Sequence, residues 1–428
     1  MQTLFFRPWR RSAALALGWA LASMAAHAQA PHTPVPDPAA WSLRALFDHA
    51  WQRQPEAQAQ PLRQQAAEAA RLAAQRWTAE PPALEVSAKT DQINKNQGSR
   101  EYVAGVALPL WLPGERSRSG ALADAESRAT ASRALAAQLR TAASVREAWW
   151  AWQRARVEKG LAQERLNGTH QLASDIARRV KAGDLARSDQ HQADGAAATA
   201  EVTLAEANTA LATATQQLRA LIGMSPSSQG ADIPTAGEPA PTVPVDFAAL
   251  DTSHPAVGEL LNRAEVARRG AELAEVQTRA NPELTLATTR DRGMFGDPYQ
   301  QTVTVGIRFP FGSDSRHRAK AGLARAEAIE AEGQLRLERE RLIADLDAAH
   351  VRVESARQQL AAADKRAQLA RESRGFFEKS FRLGETDLPT RLRIELEAAE
   401  AERQAARARI DLAAAISLLR QTLGLLPE

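Results

Sequence analysis

Between Pro113 and Pro226 the chain contains no proline. Alanine dominates this run, and Leu, Gln, Arg and Glu fill most of the rest. These are the strongest helix formers, and their preference summed over so long a window is informative. The natural break is Lys181-Ala182-Gly183-Asp184. There Gly183 can supply a left-handed C-cap, and Asp184 an N-cap for the helix that follows. The stretch therefore reads as a hairpin of helices over residues 114–182 and 184–222. At 1.5 Å per residue the first arm is roughly 100 Å long. A globular chain of this length is only some tens of Å across, so no ordinary compact domain contains such an arm.

The composition agrees. Aromatic residues make up 5% of the 428, and the charged quarter is nearly balanced. Abundant small side chains let long helix axes approach closely. The formal charge of +3 is no nucleic-acid signal. Residues 1–28 hold Arg7, Arg10 and Arg11 with no acid and no lysine, and removing them leaves a neutral chain. The same residues read as a secretory signal peptide: a basic start, an apolar core from Ala13 to Ala25, and small residues at Ala26 and Ala28. Ala28-Gln29-Ala30 is a second cleavage choice, giving a mature start at Gln29 or Pro31, and Arg10-Arg11 leaves twin-arginine export open. The apolar core is too short for a permanent anchor, and no later stretch is long enough for a transmembrane helix. The chain has no cysteine, which removes disulfides, thiolate metal sites and a cysteine-linked lipid anchor.

Residues 29–41 are a Pro-rich leader. A helix is expected from Ser42, broken near Pro55 or Pro61 and continuing to about Trp77. Ala83–Thr90 alternates apolar and polar, and so does Glu101–Leu108, giving a β-hairpin over 83–108 around a polar loop. The second half repeats this plan at a near-constant offset. His254-Pro255 answers Gln54-Pro55, and a helix runs on to Ala280. Asn281-Pro282-Glu283-Leu284 answers Pro81-Pro82-Ala83-Leu84. Gly306-Ile307-Arg308-Phe309-Pro310 answers Gly105-Val106-Ala107-Leu108-Pro109. Gly384 answers Gly183, and Gly424 answers Gly223. Two structural repeats follow, 42–223 and 251–428. The second carries a hairpin over 283–309 and long helices over 315–382 and 385–423. Residues 224–250, rich in Pro, Ser and Gly, form a linker or surface loop.

Strands of this length suit a tilted crossing of a bilayer. One face would meet lipid: Leu84, Val86, Tyr102, Val106, Leu108, Leu284, Leu286, Val303, Val305, Ile307 and Phe309. The other (Glu85, Lys89, Thr302, Thr304, Arg308) suits a wet lumen. A pair of exposed hairpins packed on helix stays open as the alternative, as does a soluble periplasmic coiled-coil scaffold. If the strands span a membrane, several chains must share one barrel, because four strands cannot close and an open edge is not tolerated in hydrocarbon. Trp111, Phe309 and Phe311 fall where an interfacial aromatic girdle belongs.

A signal peptide followed by two such repeats resembles the outer membrane efflux proteins of the TolC type. Gly105-Val106-Ala107-Leu108-Pro109-Leu110 and Gly306-Ile307-Arg308-Phe309-Pro310-Phe311 carry the resemblance most specifically. The tips Arg179-Val180-Lys181-Ala182-Gly183-Asp184-Leu185 and Phe381-Arg382-Leu383-Gly384-Glu385-Thr386-Asp387-Leu388 come next. The resemblance implies a mainly α fold with a small membrane β part: a homotrimer with a shared 12-stranded β-barrel and an α-helical periplasmic tunnel. It implies a passive outer-membrane duct that works with a periplasmic adaptor protein and an inner-membrane pump of the proton-driven resistance-nodulation-division class. It also assigns adaptor contact and gating to Arg179, Val180, Gly183, Asp184, Leu185, Arg382, Leu383, Gly384, Glu385 and Leu388. Asn281-Pro282, Thr289-Arg290-Asp291-Arg292-Gly293 and Val305–Pro310 look most like the cobalt–zinc–cadmium branch, which implies heavy-metal cations as cargo; drug or protein export by the same family is the alternative. Many relatives carry a lipidated N-terminal cysteine that this chain lacks. Thr390-Arg391-Leu392-Arg393 replaces a paired-aspartate constriction of some drug-efflux members.

No enzyme constellation appears. The eight histidines show no HxxxH or HExxH spacing, no phosphate-binding GxxxxGK[ST] loop is present, and no cofactor or metal is called for. Trp149, Trp150 and Trp152 read as packing midway along the first long helix.

Overall fold

The structure is a computed structural model and describes residues 42–224, 237–242, 253–312 and 314–428. The expected signal peptide, the leader and most of the linker lie outside the described residues. Helix α1 (Leu43–Arg53) is N-capped by Ser42, whose hydroxyl accepts the Ala45 N–H at 3.2 Å. The break falls at Gln54-Pro55. Helix α2 (Pro55–Ala74) starts on that proline, where a missing N–H costs nothing, and it carries Pro61 inside.

Helix α2 ends at Ala74, short of the expected Trp77. The next two carbonyls are taken by other partners. The Arg116 guanidinium donates to the Gln75 carbonyl, and Trp111 Nε1 donates to that of Arg76 at 3.1 Å. Strands β1 (Ala83–Thr90) and β2 (Arg100–Pro109) follow, then α3 (Glu115–Ala182) and α4 (Arg187–Ile222). The second half runs α5 (Pro255–Val276), β3 (Glu283–Arg292), β4 (Gln300–Arg308), α6 (Asp314–Arg382) and α7 (Leu388–Thr422). Helix α5 stops four residues before the expected Ala280 because Gln277 and Asn281 turn toward Glu115. That buried carboxylate accepts from Gln277 Nε2 (2.7 Å), Asn281 Nδ2 (2.7 Å) and the Leu112 N–H (2.9 Å). It locks the joint between sheet and helix in both halves.

The strands form one antiparallel sheet in the order β1-β2-β3-β4. The long helices pack mainly through alanine. On α4 the buried alanines are Ala193, Ala197, Ala200, Ala207 and Ala214, near the 3.5-residue repeat of a coiled-coil seam, with Leu218 and Ile222 continuing it. Ala363 and Ala367 of α6 meet Ala401 and Ala405 of α7 in the same way. Bulk appears mainly at mid-length. There Trp149, Trp150 and Trp152 of α3 pack with Leu46 of α1, Leu218 of α4 and Ile410 of α7. Trp149 and Trp152 stack at 5.4 Å. Among the described residues no helix is long and apolar enough to cross a membrane.

Candidate functional site

Residues paired across an antiparallel sheet share a face. Leu84, Val106, Leu286 and Val305 form one row across all four strands. Leu108, Leu284 and Ile307 form the row below, and Val86, Ala104, Thr288 and Val303 the row above. Tyr102 lies one row further on. All but one of the residues expected on the apolar side thus come together on one face. Leu84 is 76% exposed and Val305 68%, so nothing among the described residues covers it. Phe309 is the exception: β4 ends at Arg308, and Phe309 stands just beyond the strand.

The opposite face carries Glu85, Ser87, Lys89, Glu101, Thr289, Thr302 and Thr304 by the same pairing. Lys89 pairs with Glu101 at 3.5 Å and Arg308 with Glu283 at 3.3 Å, both across strands. Among the described residues β1 and β4 each keep one edge unpaired. With four alternating strands, β4 runs antiparallel to β1, so the β4 edge of one copy fits the β1 edge of another.

The helix turns are built alike. Gly183 sits at φ 87° and Gly384 at φ 80°, in the left-handed region. The Gly183 N–H donates to Val180 and the Asp184 N–H to Arg179; the Gly384 N–H donates to Phe381 and the Glu385 N–H to Ser380. Each turn is a Schellman motif that satisfies the last carbonyls of its helix. The expected caps of the return helices need correction. Helix α4 begins at Arg187, not at 184, and its cap is Ala186, whose N–H donates to the Asp189 carboxylate at 3.1 Å. Helix α7 begins at Leu388, not at 385, and its cap is Asp387, which accepts the Thr390 N–H at 3.1 Å. Hydrogen bonding to Thr390 holds the Asp387 carboxyl below its usual range.

The two tips touch. Leu172, Ile176, Val180 and Leu185 of the first pack with Phe381, Leu388 and Leu392 of the second. The guanidinium of Arg179 lies 5.2 Å from the centre of the Phe381 ring and that of Arg391 4.8 Å. Of the expected tip residues, Arg179, Val180, Leu185 and Leu388 join this cluster. Gly183, Asp184, Arg382, Leu383, Gly384 and Glu385 are exposed. Phe381 and Arg391, which join the tips, were not expected to. Phe381 stood in the quoted motif, but nothing in one chain's pattern says which ring a distant arginine covers. Next to them Glu395 is half-buried, and burial pushes its carboxyl up against the opposing pull of Arg374 and Arg391.

The linker reading also needs correction at one place. Residues 237–242 are not a free loop: Glu238 is 2% exposed and Arg146 4%. The Glu238 carboxylate accepts both Nε (3.0 Å) and Nη2 (2.7 Å) of Arg146 in α3, lies 3.3 Å from Arg420 Nε in α7, and accepts the Ser417 hydroxyl. Among the described residues no group of His, Asp and Glu is placed to hold a metal ion.

Residues 46–224 match the family model for outer membrane efflux proteins. No curated protein matches the chain. Solved structures share its fold. A structure of CusC, described for conformational changes accompanying transmembrane channel formation, superposes with a TM-score of 0.73 at 16% identity, over 90% of this chain and 92% of that one. The open state of the Neisseria gonorrhoeae MtrE outer membrane channel gives 0.72 at 17%, over 90% and 89%. The Vibrio cholerae outer membrane protein VceC gives 0.71 at 16%, over 90% and 97%.

Proposed function

We propose, from the match of residues 46–224 to the family model for outer membrane efflux proteins, that this chain is the outer-membrane duct of a tripartite export system. The chain is located in the outer membrane, with its helices extending into the periplasm. Channels of this family form trimers and work with an adaptor and an inner-membrane pump. One observation carries the reading of the strands: a sheet with an exposed face whose rows nearest the helices are apolar, one polar face and two open edges among the described residues. In hydrocarbon such edges must pair, so three copies close twelve strands into one barrel. The polar face lines the lumen and the apolar face meets lipid.

The helical surface supports the same trimer. Ile343, Val351, Leu369 and Phe376 form an exposed stripe on one side of α6, and Leu383 follows just past its end. A neighbouring copy covers that stripe. Transport through the duct is passive, because the driving energy comes from the inner-membrane pump, which we place in the proton-driven resistance-nodulation-division class. The tips (Arg179, Val180, Gly183, Asp184, Leu185, Arg382, Leu383, Gly384, Glu385 and Leu388) meet the adaptor and open there. We propose heavy-metal cations as the cargo, on the second-repeat pattern Asn281-Pro282 and Thr289–Gly293.

Two measurements test this. The full chain should fractionate with outer membranes, resist extraction by salt, and run as a heat-sensitive trimer. A salt-extracted monomer would instead support the periplasmic scaffold. Deleting the gene should sensitise cells to zinc, cobalt or cadmium. Sensitivity to hydrophobic drugs alone would move the cargo assignment to drug export while leaving the duct intact.

A further inference from the structure

The sheet end away from the helix connections separates charge by face. By pairing, Arg100, Tyr102, Arg290 and Arg292 fall on the apolar face, and Lys89, Glu101 and Asp291 on the polar one. Arg100 stands directly opposite Arg292, with Arg290 in the next row. Like charges directly opposed across strands are destabilising. Among the described residues no carboxylate pairs with any of the three. The acids of the adjoining turns are occupied: Asp91 accepts the Gln97 N–H at 2.7 Å and Asp297 the Met294 N–H at 2.9 Å.

Aromatic rings hold two of these arginines. Tyr102 and Tyr299, the only two tyrosines of the chain, lie with ring centres 6.5 Å apart. The Arg290 guanidinium sits 4.8 Å from the Tyr299 centroid, and that of Arg292 5.0 Å from Tyr299 and 5.5 Å from Phe295. Arg292 Nε also donates to the Gly98 carbonyl at 3.0 Å. Stacking fixes the plane of a guanidinium and leaves its Nη edge free, the edge that grips phosphate in two parallel hydrogen bonds. Along the strands the apolar rows end at the row that pairs Tyr102 with Arg290, and the Arg100–Arg292 row lies beyond it. That is the order of hydrocarbon, interface and headgroup in a bilayer.

We propose that Arg100, Arg290 and Arg292 form a site for the phosphate groups of outer-leaflet lipid, a phosphorylated glycolipid seated on the barrel's outer face. The site rests on the reading of the sheet as part of an outer-membrane barrel. The anion supplies the countercharge that the protein lacks there, and the lipid acyl chains continue down the apolar rows below.

The test uses the full-length trimer purified from outer membranes in non-ionic detergent, with binding of diphosphorylated lipid A followed by native mass spectrometry and by thermal shift. Wild type should retain the diphosphorylated lipid and bind the monophosphorylated form more weakly. The R100Q/R290Q/R292Q variant should lose at least about tenfold in affinity, since each lost guanidinium–phosphate pair is a charge-assisted contact. Arg290→Gln alone, at an exposed position, should give a smaller loss and serves if the triple variant does not assemble. Lys89→Gln, at the same height on the opposite face, should bind as wild type. Equal binding by wild type and both arginine variants overturns the site. So does full competition by millimolar inorganic phosphate, which would make it a site for free phosphate. If wild type itself fails to fractionate with outer membranes, the barrel reading falls first and takes the site with it.

Discussion

Single residues carry two separable roles. At Gly384 the backbone is left-handed, and a Cβ there would meet nothing within 4 Å. Any effect of substitution therefore comes from backbone strain and from what docks outside, not from an internal clash. Gly384→Val should cost about 1–2 kcal/mol at that turn, leave the outer-membrane trimer intact and abolish export. Gly384→Asn, which tolerates the conformation, should retain most export. Normal transport by the valine variant would remove the tip from the function. His254 is a different case. It is 4% exposed beside Gly424, and burial holds its imidazole below its usual pKa. The unfolded chain takes up this proton near pH 6.5 while the folded chain does not. Stability should therefore be full above that pH and fall as pH drops below it. His254→Gln, copying Gln54 at the matching place in the first repeat, should flatten the fall in thermal unfolding curves. An unchanged pH profile would assign the acid sensitivity elsewhere.

At the scale of elements, the Arg146–Glu238–Arg420 cluster ties the connector to α3 and α7. Breaking a buried ion cluster by removing one partner leaves uncompensated charge. Glu238→Ala should destabilise by about 3–5 kcal/mol, seen as a lower melting temperature. Glu238→Asp should recover part of the loss; no change in either variant would mean that the connector is free in solution. This cluster was not legible in the sequence. Glu238 sits among prolines and glycines, where a loop is the default expectation, and its partners lie 92 and 182 residues away in sequence. The strands were legible because period-two alternation reports which side is wet. The long helices were legible because proline is absent and Gly183 and Gly384 stop them. Where they resume was misread by three residues in both tips. Asp184 and Glu385 are polar enough to cap, but the Schellman turns use those positions to close the preceding helix, and the return helix waits for Ala186 or Asp387. The ends of α2 and α5 were misread for a related reason: distant side chains from the start of α3 claim their last turns.

For the whole molecule the decisive question is how β1 and β4 end. The chain lacks cysteine, so introduced pairs report without background. Thr302→Cys in β4, combined in turn with cysteine at Glu85, Ser87 or Lys89 of β1, should give at least one combination that oxidises to a covalent trimer in intact cells. The stagger of a closed barrel decides which one. If every combination stays monomeric on denaturing gels, the copies do not share a barrel.

The ring of Phe381 has a mechanical consequence. It is clasped by Arg179 from one hairpin and Arg391 from the other, over an apolar contact between the two. A force applied to either tip is thus delivered to both. If the tips open as proposed, each chain's pair of hairpins must either pivot as one lever or break the clasp first. In a trimer that means three levers where the chain count of tips suggests six, and a mouth that dilates in threefold steps.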